Sequence, residues 1–377
     1  MILPGATLGV LGGGQLGRMF TLRARTMGYR VVVLDPDPVS PAGQVADRHV
    51  MARYDDEGAL DGLAAACVAV TTEFENIPSA TLERLAGTTI VRPGAEAVAI
   101  AQDRITEKSF LQRAGFAVAP FHPVRRAAEL ASAMAAVRLP ALLKTSRLGY
   151  DGKGQETILA PGDGVEAFRK LGGVDSILEE RLGLEHELSV VLGRGADGRV
   201  AAFPPGENHH RDGILETTTV PARVPERLAL EARDLAIGVA NALNYVGVLG
   251  VELFVADGGR LFVNEIAPRP HNSGHYTIDA CSLDQFELQV RTLCGLPLHE
   301  PWLLSPVAMV NLLGDLWCKG EPRWAEVFAR PGVRLHLYGK SEPRPGRKMG
   351  HLSCLAASPD RALALALEAR DALSPGG

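Results

Sequence analysis

The sequence predicts a doubly wound α/β unit, then an α+β domain, then a small C-terminal domain. Three observations predict it. Gly12-x-Gly14-x-x-Gly17 separates an apolar run from a helical pattern, short β-rich runs alternate with glycine-rich connections from Leu139 to Pro297, and prolines interrupt short apolar runs after Pro301. The division places these units at 1–103, 104–300 and 301–377. With 377 residues, 46% hydrophobic and 22% charged, the chain is long enough for three such units.

Thr7 to Leu11 reads as a strand, Gly12 to Gly14 as a turn, Gln15 to Met27 as a helix and Arg30 to Leu34 as the next strand, ending at Asp35. A further strand at Cys67 to Val70 runs into Thr71-Thr72-Glu73-Phe74-Glu75. Acidic side chains therefore stand where a parallel strand ends and ligands bind. Asp103 caps a helix running to Arg113 and closed by Gly115. Helices are expected at Ala127 to Val137 and at Glu226 to Leu243, and a buried strand at Ile177 to Leu182.

Bulk properties exclude several classes. A formal charge of -5 gives no global basic field, so neither nucleic acid nor an anionic membrane is the expected partner. No apolar run approaches the roughly 20 residues that span a bilayer, and the first residues lack a positively charged leader region. The five cysteines form no C-x-x-C pair and read as reduced thiols. A cytoplasmic location follows as the expectation.

Gly12-x-Gly14-x-x-Gly17 with Asp35 at the end of the second strand matches a dinucleotide fingerprint, which leaves an NAD-dependent oxidoreductase open as a rival reading. Chemistry elsewhere points to a magnesium-bound nucleotide. Gly258-Gly259 between two β-rich runs reads as a two-residue hairpin loop that puts Glu252 opposite Glu265. Like charges placed so destabilise the ribbon unless something compensates. A magnesium–nucleotide site does so, because Mg²⁺ uses one or two carboxylates plus phosphates; Mn²⁺ is an alternative. The competing reading is two glutamates on a solvated sheet face.

Leu142-Leu143-Lys144 followed by Gly149-Tyr150-Asp151-Gly152-Lys153-Gly154-Gln155 is a strand carrying a lysine into a glycine-rich loop. Such a lysine needs an anionic partner, and the glycines allow close approach to phosphate and lid motion. A plain hairpin with solvated lysines is the competing reading. Glu179-Glu180-Arg181-Leu182 forms a strand end for an adenine, with Glu187 for the ribose hydroxyls. Arg269-Pro270-His271-Asn272-Ser273 sets cations and donors beside the second glutamate, where a small oxyanion fits.

The motifs Gly-Gly-Gly-Gln15-Leu16-Gly-Arg18-Met, Gly149 to Gln155, Glu207-Asn-His-His210-Arg-Asp-Gly, Asn264-Glu265-Ile-Ala-Pro-Arg-Pro-His-Asn-Ser-Gly-His275 and Arg344-Pro-Gly-Arg347-Lys348-Met-Gly-His351, in that order, resemble the ATP-grasp superfamily. Within it they resemble the N5-carboxyaminoimidazole ribonucleotide synthetases of purine synthesis. That resemblance implies an ATP-grasp fold with a Rossmann-like pre-ATP-grasp domain in front. It implies that ATP contacts Arg104, Lys144, Gly149 to Gln155, Glu179 to Leu182, Glu187, His210, Asn264 and Glu265, and that Glu252 and Glu265 hold the metal. For the aminoimidazole ribonucleotide it implies Gln15, Leu16, Glu73, Lys340, Arg347 and Lys348, and for catalysis Glu73, Tyr150, Lys153, Arg269, His271, Asn272 and Ser273. Bicarbonate is the implied co-substrate and a homodimer the implied assembly. Ala267 stands where many ATP-grasp enzymes place an asparagine, so no third metal-binding side chain is expected there.

Overall fold

A computed structural model of the chain describes every residue except Tyr150 and residues 375–377. Three sheets organise it. Five parallel strands make the first, in the spatial order Arg48–Val50, Arg30–Leu34, Thr7–Leu11, Ala69–Thr72, Ile90–Val91. The first strand in sequence lies at the centre, so strand order reverses beside it and a crevice opens at its carboxyl end. Helix Gln15–Thr26 starts there. Leu8, Val10, Leu16, Phe20 and Ala24 pack between this helix and the sheet, each at least nine-tenths buried. Each large apolar side chain so removed from water contributes about 1.5–3 kcal/mol.

The fourth strand falls at Ala69–Thr72, two residues later than the sequence pattern implies. Cys67 is spent closing the helix Glu57–Ala66, and Thr71 and Thr72 pair with Val10 and Leu11 at full burial. β-branched threonines suit a pleated, enclosed surface. This shift carries Glu73 and Glu75 directly off the strand end.

Asp103 caps helix Arg104–Arg113 by accepting from the Thr106 amide at 3.0 Å, and Gly115 leaves it with φ of 87°. The expected helix at 127–137 is a 3₁₀ turn, Ala127–Glu129, continued by the α-helix Leu130–Ala136. A four-stranded antiparallel sheet follows, ordered Phe121–Val124, Ser176–Glu180, Ala141–Thr145, Gln155–Ile158.

The third sheet has nine strands. Its main path runs Arg260–Ala267, Gly247–Ala256, Leu184–Arg194, Gly206–Arg211, Ile214–Val220, Val307–Leu313, Lys348–Leu355, Val333–Leu337. Helix Glu226–Ala242 lays Ala232, Ala236, Val239 and Ala240 against Leu188, Val190, Leu249 and Val251. That spacing is one helical face, and the alanines let helix and sheet approach closely.

The strands after residue 300 extend this sheet through the Thr217↔Val310 pairing instead of forming one of their own. Similarly, helix Gln285–Cys294 buries Phe286, Val290 and Leu293 in the core of the first sheet. Both arrangements draw the three segments around one cleft.

Candidate active site

The cleft has a volume of about 1030 Å³ and is walled by all three segments. Gly14, Gln15, Leu16, Glu73 and Glu75 come from the first, Lys144 and the glycine loop from the small sheet, and Glu187, His210, Glu252 and Glu265 from the large one. Lys340, Arg347 and Lys348 from the C-terminal segment complete the lining.

At its centre Glu252 pairs with Glu265 as the hairpin argument expects, but by a different route. The turn has three residues, Asp257, Gly258 and Gly259, all with positive φ, so Ala256 faces Arg260. Asn264 is then an extra residue in a β-bulge, which restores the Glu252↔Glu265 register. The bulged Asn264 donates to Glu252 Oε2 at 3.3 Å. Arg104 Nη1 donates to Glu265 Oε2 at 2.8 Å, and its second nitrogen donates to the Gly149 carbonyl at 3.0 Å. Burial pushes the Glu252 carboxyl up, but His271, His210 and Asn264 outweigh it and hold it below the ordinary range. Two opposed carboxylates fit a hard divalent cation that takes its remaining ligands from phosphate and water. Among the described residues no group of three or more acidic, His or Cys side chains is arranged to hold a metal ion.

His271 is fixed at both ring nitrogens. The Ser273 backbone N–H donates to Nδ1 at 3.3 Å, and Ser273 Oγ lies 2.7 Å from it. Because the backbone group is an obligatory donor, Nδ1 is an acceptor and the ring proton sits on Nε2, 3.2 Å from Glu252 Oε1. His271 therefore acts as a donor to Glu252. Gly250 makes room for it, since a Cβ there would meet His271 Cβ at 2.7 Å. Ser273 lies behind the ring, fully buried and bonded to Ser189 Oγ at 2.7 Å, and does not line the cleft. Asn272 lines it, but its amide is committed to a reciprocal pair with Asn311, at 3.1 and 2.6 Å. Glu75 clamps the Arg269 guanidinium beside them.

Lys144 projects into the cleft and donates to Glu179 Oε2 at 2.5 Å. Glu179 is buried beneath it and is not a cleft residue. Glu180 and Leu182 do not line the cleft either; Glu180 turns outward to Arg138 at 2.5 Å, whereas Arg181 does line it. His210 Nδ1 lies 2.8 Å from Glu187 Oε2. Burial lowers the pKa of this imidazole, yet Glu187 and Glu252 raise it above the ordinary value on balance. Asp151, Gly152, Lys153, Gly154 and Gln155 line the cleft with Gly149, and Tyr150 lies outside the described residues.

The glycine fingerprint is occupied by the protein itself. Gly13 N–H donates to Asp35 Oδ2 at 2.6 Å, and Gly14 and Gly17 N–H donate to the two Glu73 oxygens at 2.9 and 3.1 Å. Tyr54 takes Asp35 as well, at 2.6 Å. A Cβ on Gly12 would meet Glu73 Cγ at 2.3 Å, so these glycines admit a carboxylate where a pyrophosphate would otherwise sit. An NAD site is not formed here.

Lys340 Nζ donates to Gln15 Oε1 at 2.6 Å and to the Lys348 carbonyl at 2.7 Å, and Lys348 Nζ reaches Asp151 Oδ1 at 2.7 Å. Sequence reasoning missed Lys108, Gln285 and Asn311. Gln285 brackets His271 by accepting from its N–H at 2.8 Å and donating to its carbonyl at 2.9 Å. Lys108 stands four residues after Arg104 on one helix face, a spacing that marks it, whereas Gln285 and Asn311 reach the site from separate segments and carry no such signal.

The sequence matches three families in order: the ribonucleotide synthetase preATP-grasp domain over residues 5–102, the ATP-grasp domain over 109–286, and the phosphoribosylaminoimidazole carboxylase C-terminal domain over 307–365. The N5-carboxyaminoimidazole ribonucleotide synthase of Bacillus subtilis is 45% identical over 355 residues, covering 94% of this chain and 92% of that one. An ADP complex of an N5-carboxyaminoimidazole ribonucleotide synthetase superposes with a TM-score of 0.93 at 42% identity, covering 100% of this chain and 99% of the other. The Aspergillus clavatus N5-carboxyaminoimidazole synthase in complex with ADP and 5-aminoimidazole ribonucleotide gives 0.89 at 31% identity, over 98% of each chain. With three domain families in register and a cleft that joins them, the chain belongs to the N5-carboxyaminoimidazole ribonucleotide synthase family of ATP-grasp enzymes.

Proposed function

We propose that this chain uses ATP and bicarbonate to carboxylate the exocyclic amine of 5-aminoimidazole ribonucleotide, releasing ADP and phosphate, as a step of purine synthesis. The observation that carries it is one cleft lined by two sets of cations from different segments. Lys144, Arg104 and the glycine loop form one and Lys340, Arg347 and Lys348 the other, the two meeting where Lys348 reaches Asp151, and Glu252, Glu265, Arg269 and His271 line the same cleft. Two phosphorylated substrates and a small anion suit that lining.

Bicarbonate oxygen attacks the γ-phosphorus of ATP and the bond to ADP breaks, giving carboxyphosphate. Arg104 and Lys144 receive the phosphate charge, while the loop excludes water from the labile product. Glu252 and Glu265 would hold Mg²⁺, or Mn²⁺, which when bound neutralises the polyphosphate. Arg269, held by Glu75, lines the same cleft and would meet the carboxylate of the intermediate. Carboxyphosphate then breaks its C–O bond to phosphate, and the amine nitrogen bonds the carbon. The released phosphate takes the amine proton, a role His271 Nε2, already protonated, does not fill. Gln15, Leu16 and Glu73 line the acceptor's wall.

A cytoplasmic location and a homodimer belong to the same proposal, the location supported by five unpaired cysteines and the dimer by the family resemblance alone. No helix among the described residues is long and apolar enough to cross a membrane.

The test is ADP release with MgATP, bicarbonate and alternative acceptors. Stimulation by the aminoimidazole ribonucleotide that requires bicarbonate is expected. Stimulation only by glycinamide ribonucleotide with formate would overturn the acceptor, and no stimulation by either would overturn the activity.

A further inference from the structure

Helix Arg104–Arg113 turns three charged residues to one side, Arg104, Glu107 and Lys108, at the i, i+3 and i+4 positions that share a face. Each is committed to a strand that builds the site. Arg104 holds Glu265, Glu107 accepts from the Ile266 N–H at 2.5 Å, and Lys108 Nζ lies 3.2 Å from Glu179 Oε1 and 3.5 Å from the Val263 carbonyl. The Lys108 side chain is only 3% exposed and lines no part of the cleft, so it meets neither substrate nor solvent.

A buried ammonium is retained where it is paired or where its charge is used. Glu179 already has a partner, since Lys144 donates to its other oxygen at 2.5 Å. Lys144 with Glu179 alone would be a neutral pair, and the cation that opens to the cleft would have its charge cancelled from behind. With Lys108 added, two ammonium groups share one carboxylate and one positive charge is left over. Other charges nearby do not remove it: Arg104 is matched by Glu265, and burial, together with the Glu265 charge, pushes the Glu107 carboxyl up toward its neutral form where it accepts from the Ile266 N–H.

We propose that Lys108 is a positioning residue for phosphoryl transfer: it engages the far oxygen of Glu179 and leaves Lys144 with the uncancelled positive charge it presents to the ATP phosphates. The inference rests on the reading of Lys144 as a phosphate ligand. It adds a residue that touches no substrate yet sets the charge of one that does.

The experiment is a charge-balance cycle in the full-length enzyme, read as KM for MgATP and kcat separately, with thermal melts as a folding check. Lys108→Met is expected to raise KM about tenfold while kcat changes less than about threefold. Lys108→Arg, which keeps the charge, is expected to stay closer to wild type than Lys108→Met. The double variant Lys108→Met/Glu179→Gln is expected to recover KM, because the neutral glutamine no longer cancels Lys144. An unchanged KM in Lys108→Met, or a double variant no better than the single, overturns the proposal. If Lys108→Met does not fold, the double variant decides alone: KM near wild type supports the charge role, and a rise of tenfold or more overturns it. Lys144→Met separates the two readings. If it leaves KM for MgATP unchanged, the phosphate assignment fails; if it raises KM while Lys108→Met does not, only the role of Lys108 fails.

Discussion

Glu252 faces Glu265 directly across the hairpin because Asn264 is bulged out of the ladder between Val263 and Glu265. Asn264 then turns its amide back to Glu252 at 3.3 Å. The bulge thus both aligns the two carboxylates and tethers one of them. Opposed carboxylates repel at this spacing, and a bound cation reverses the sign.

Replacing either acid by its amide removes half of that arrangement. Glu265→Gln is expected to lower kcat/KM by about 100-fold or more, the range for losing one preorganised electrostatic stabiliser. Glu252→Gln is expected to do the same. A chelator is expected to abolish turnover in the wild type, with recovery on adding Mg²⁺. Steady-state ADP release measured against Mg²⁺ concentration checks all three, and turnover unaffected by chelator would remove the metal from the reading.

Much of this centre was legible in the sequence, though partly by cancellation. A two-residue Gly258-Gly259 loop predicts the Glu252–Glu265 pairing, and the three-residue turn plus the bulge reaches the same pairing. Neither the αL backbone of Asp257 nor the bulge leaves a distinct mark in composition. The strands Thr7–Leu11 and Arg30–Leu34, the Asp103 cap and the parallel N-terminal unit follow local rules of spacing and capping and were readable for that reason. Lys108, Gln285 and Asn311 were not. Their roles exist only after separate strands and helices have packed, as the Asn272–Asn311 amide pair, 39 residues apart in sequence, shows. The glycine fingerprint misled for a related reason, since nothing local reveals that Glu73 and Asp35 return to fill it.

The tautomer of His271 separates two roles. With Nδ1 fixed as acceptor by the Ser273 amide, Nε2–H donates to Glu252. Glutamine places an N–H near the position of Nε2, so His271→Gln is expected to keep kcat within about tenfold of wild type, whereas His271→Ala loses about 100-fold. A general base allows no such difference. Equal loss in both variants, measured under saturating substrates, would contradict the donor role.

Lys340 gives the acceptor end its own pH dependence. Burial, with Arg347 and Lys348 nearby, lowers its ammonium to about 8. The free enzyme therefore loses this charge as pH rises through about 8, well below the usual lysine range, and the cationic form dominates below it. An acceptor phosphate favours that cationic form, so binding between pH 8 and 10 takes up a proton. KM for the aminoimidazole ribonucleotide is expected to be flat below pH 7 and to rise by up to about tenfold by pH 9. Lys340→Arg, whose guanidinium stays charged, is expected to flatten the profile. A rise of equal size in Lys340→Arg would place the titration on another group.

The glycine loop docks on the turn of a neighbouring hairpin through two glycines. Asp151 and Gly152 adopt positive φ of 47° and 75°, and Asp212 and Gly213 repeat the pattern at 53° and 78°. A Cβ on Gly213 would meet Gly152 Cα at 2.6 Å and its nitrogen at 2.9 Å, both backbone atoms that no rotamer change relieves. Left-handed backbone at Gly213 adds strain of about 1 kcal/mol for any other residue. Gly213→Ala therefore acts on the loop more than on the core, because both glycines lie outside the buried clusters and the hairpin strands Gly206–Arg211 and Ile214–Val220 pair independently of the loop. The expected result is a rise in KM for MgATP of about tenfold, with ADP formed without carboxylated product increasing as the loop seats less well over the intermediate. Thermal unfolding is expected to shift by only a few degrees. The ratio of ADP to carboxylated product is the deciding measurement: a ratio equal to wild type at a raised KM would mean that the glycine contact shapes nucleotide binding but not the protection of the intermediate.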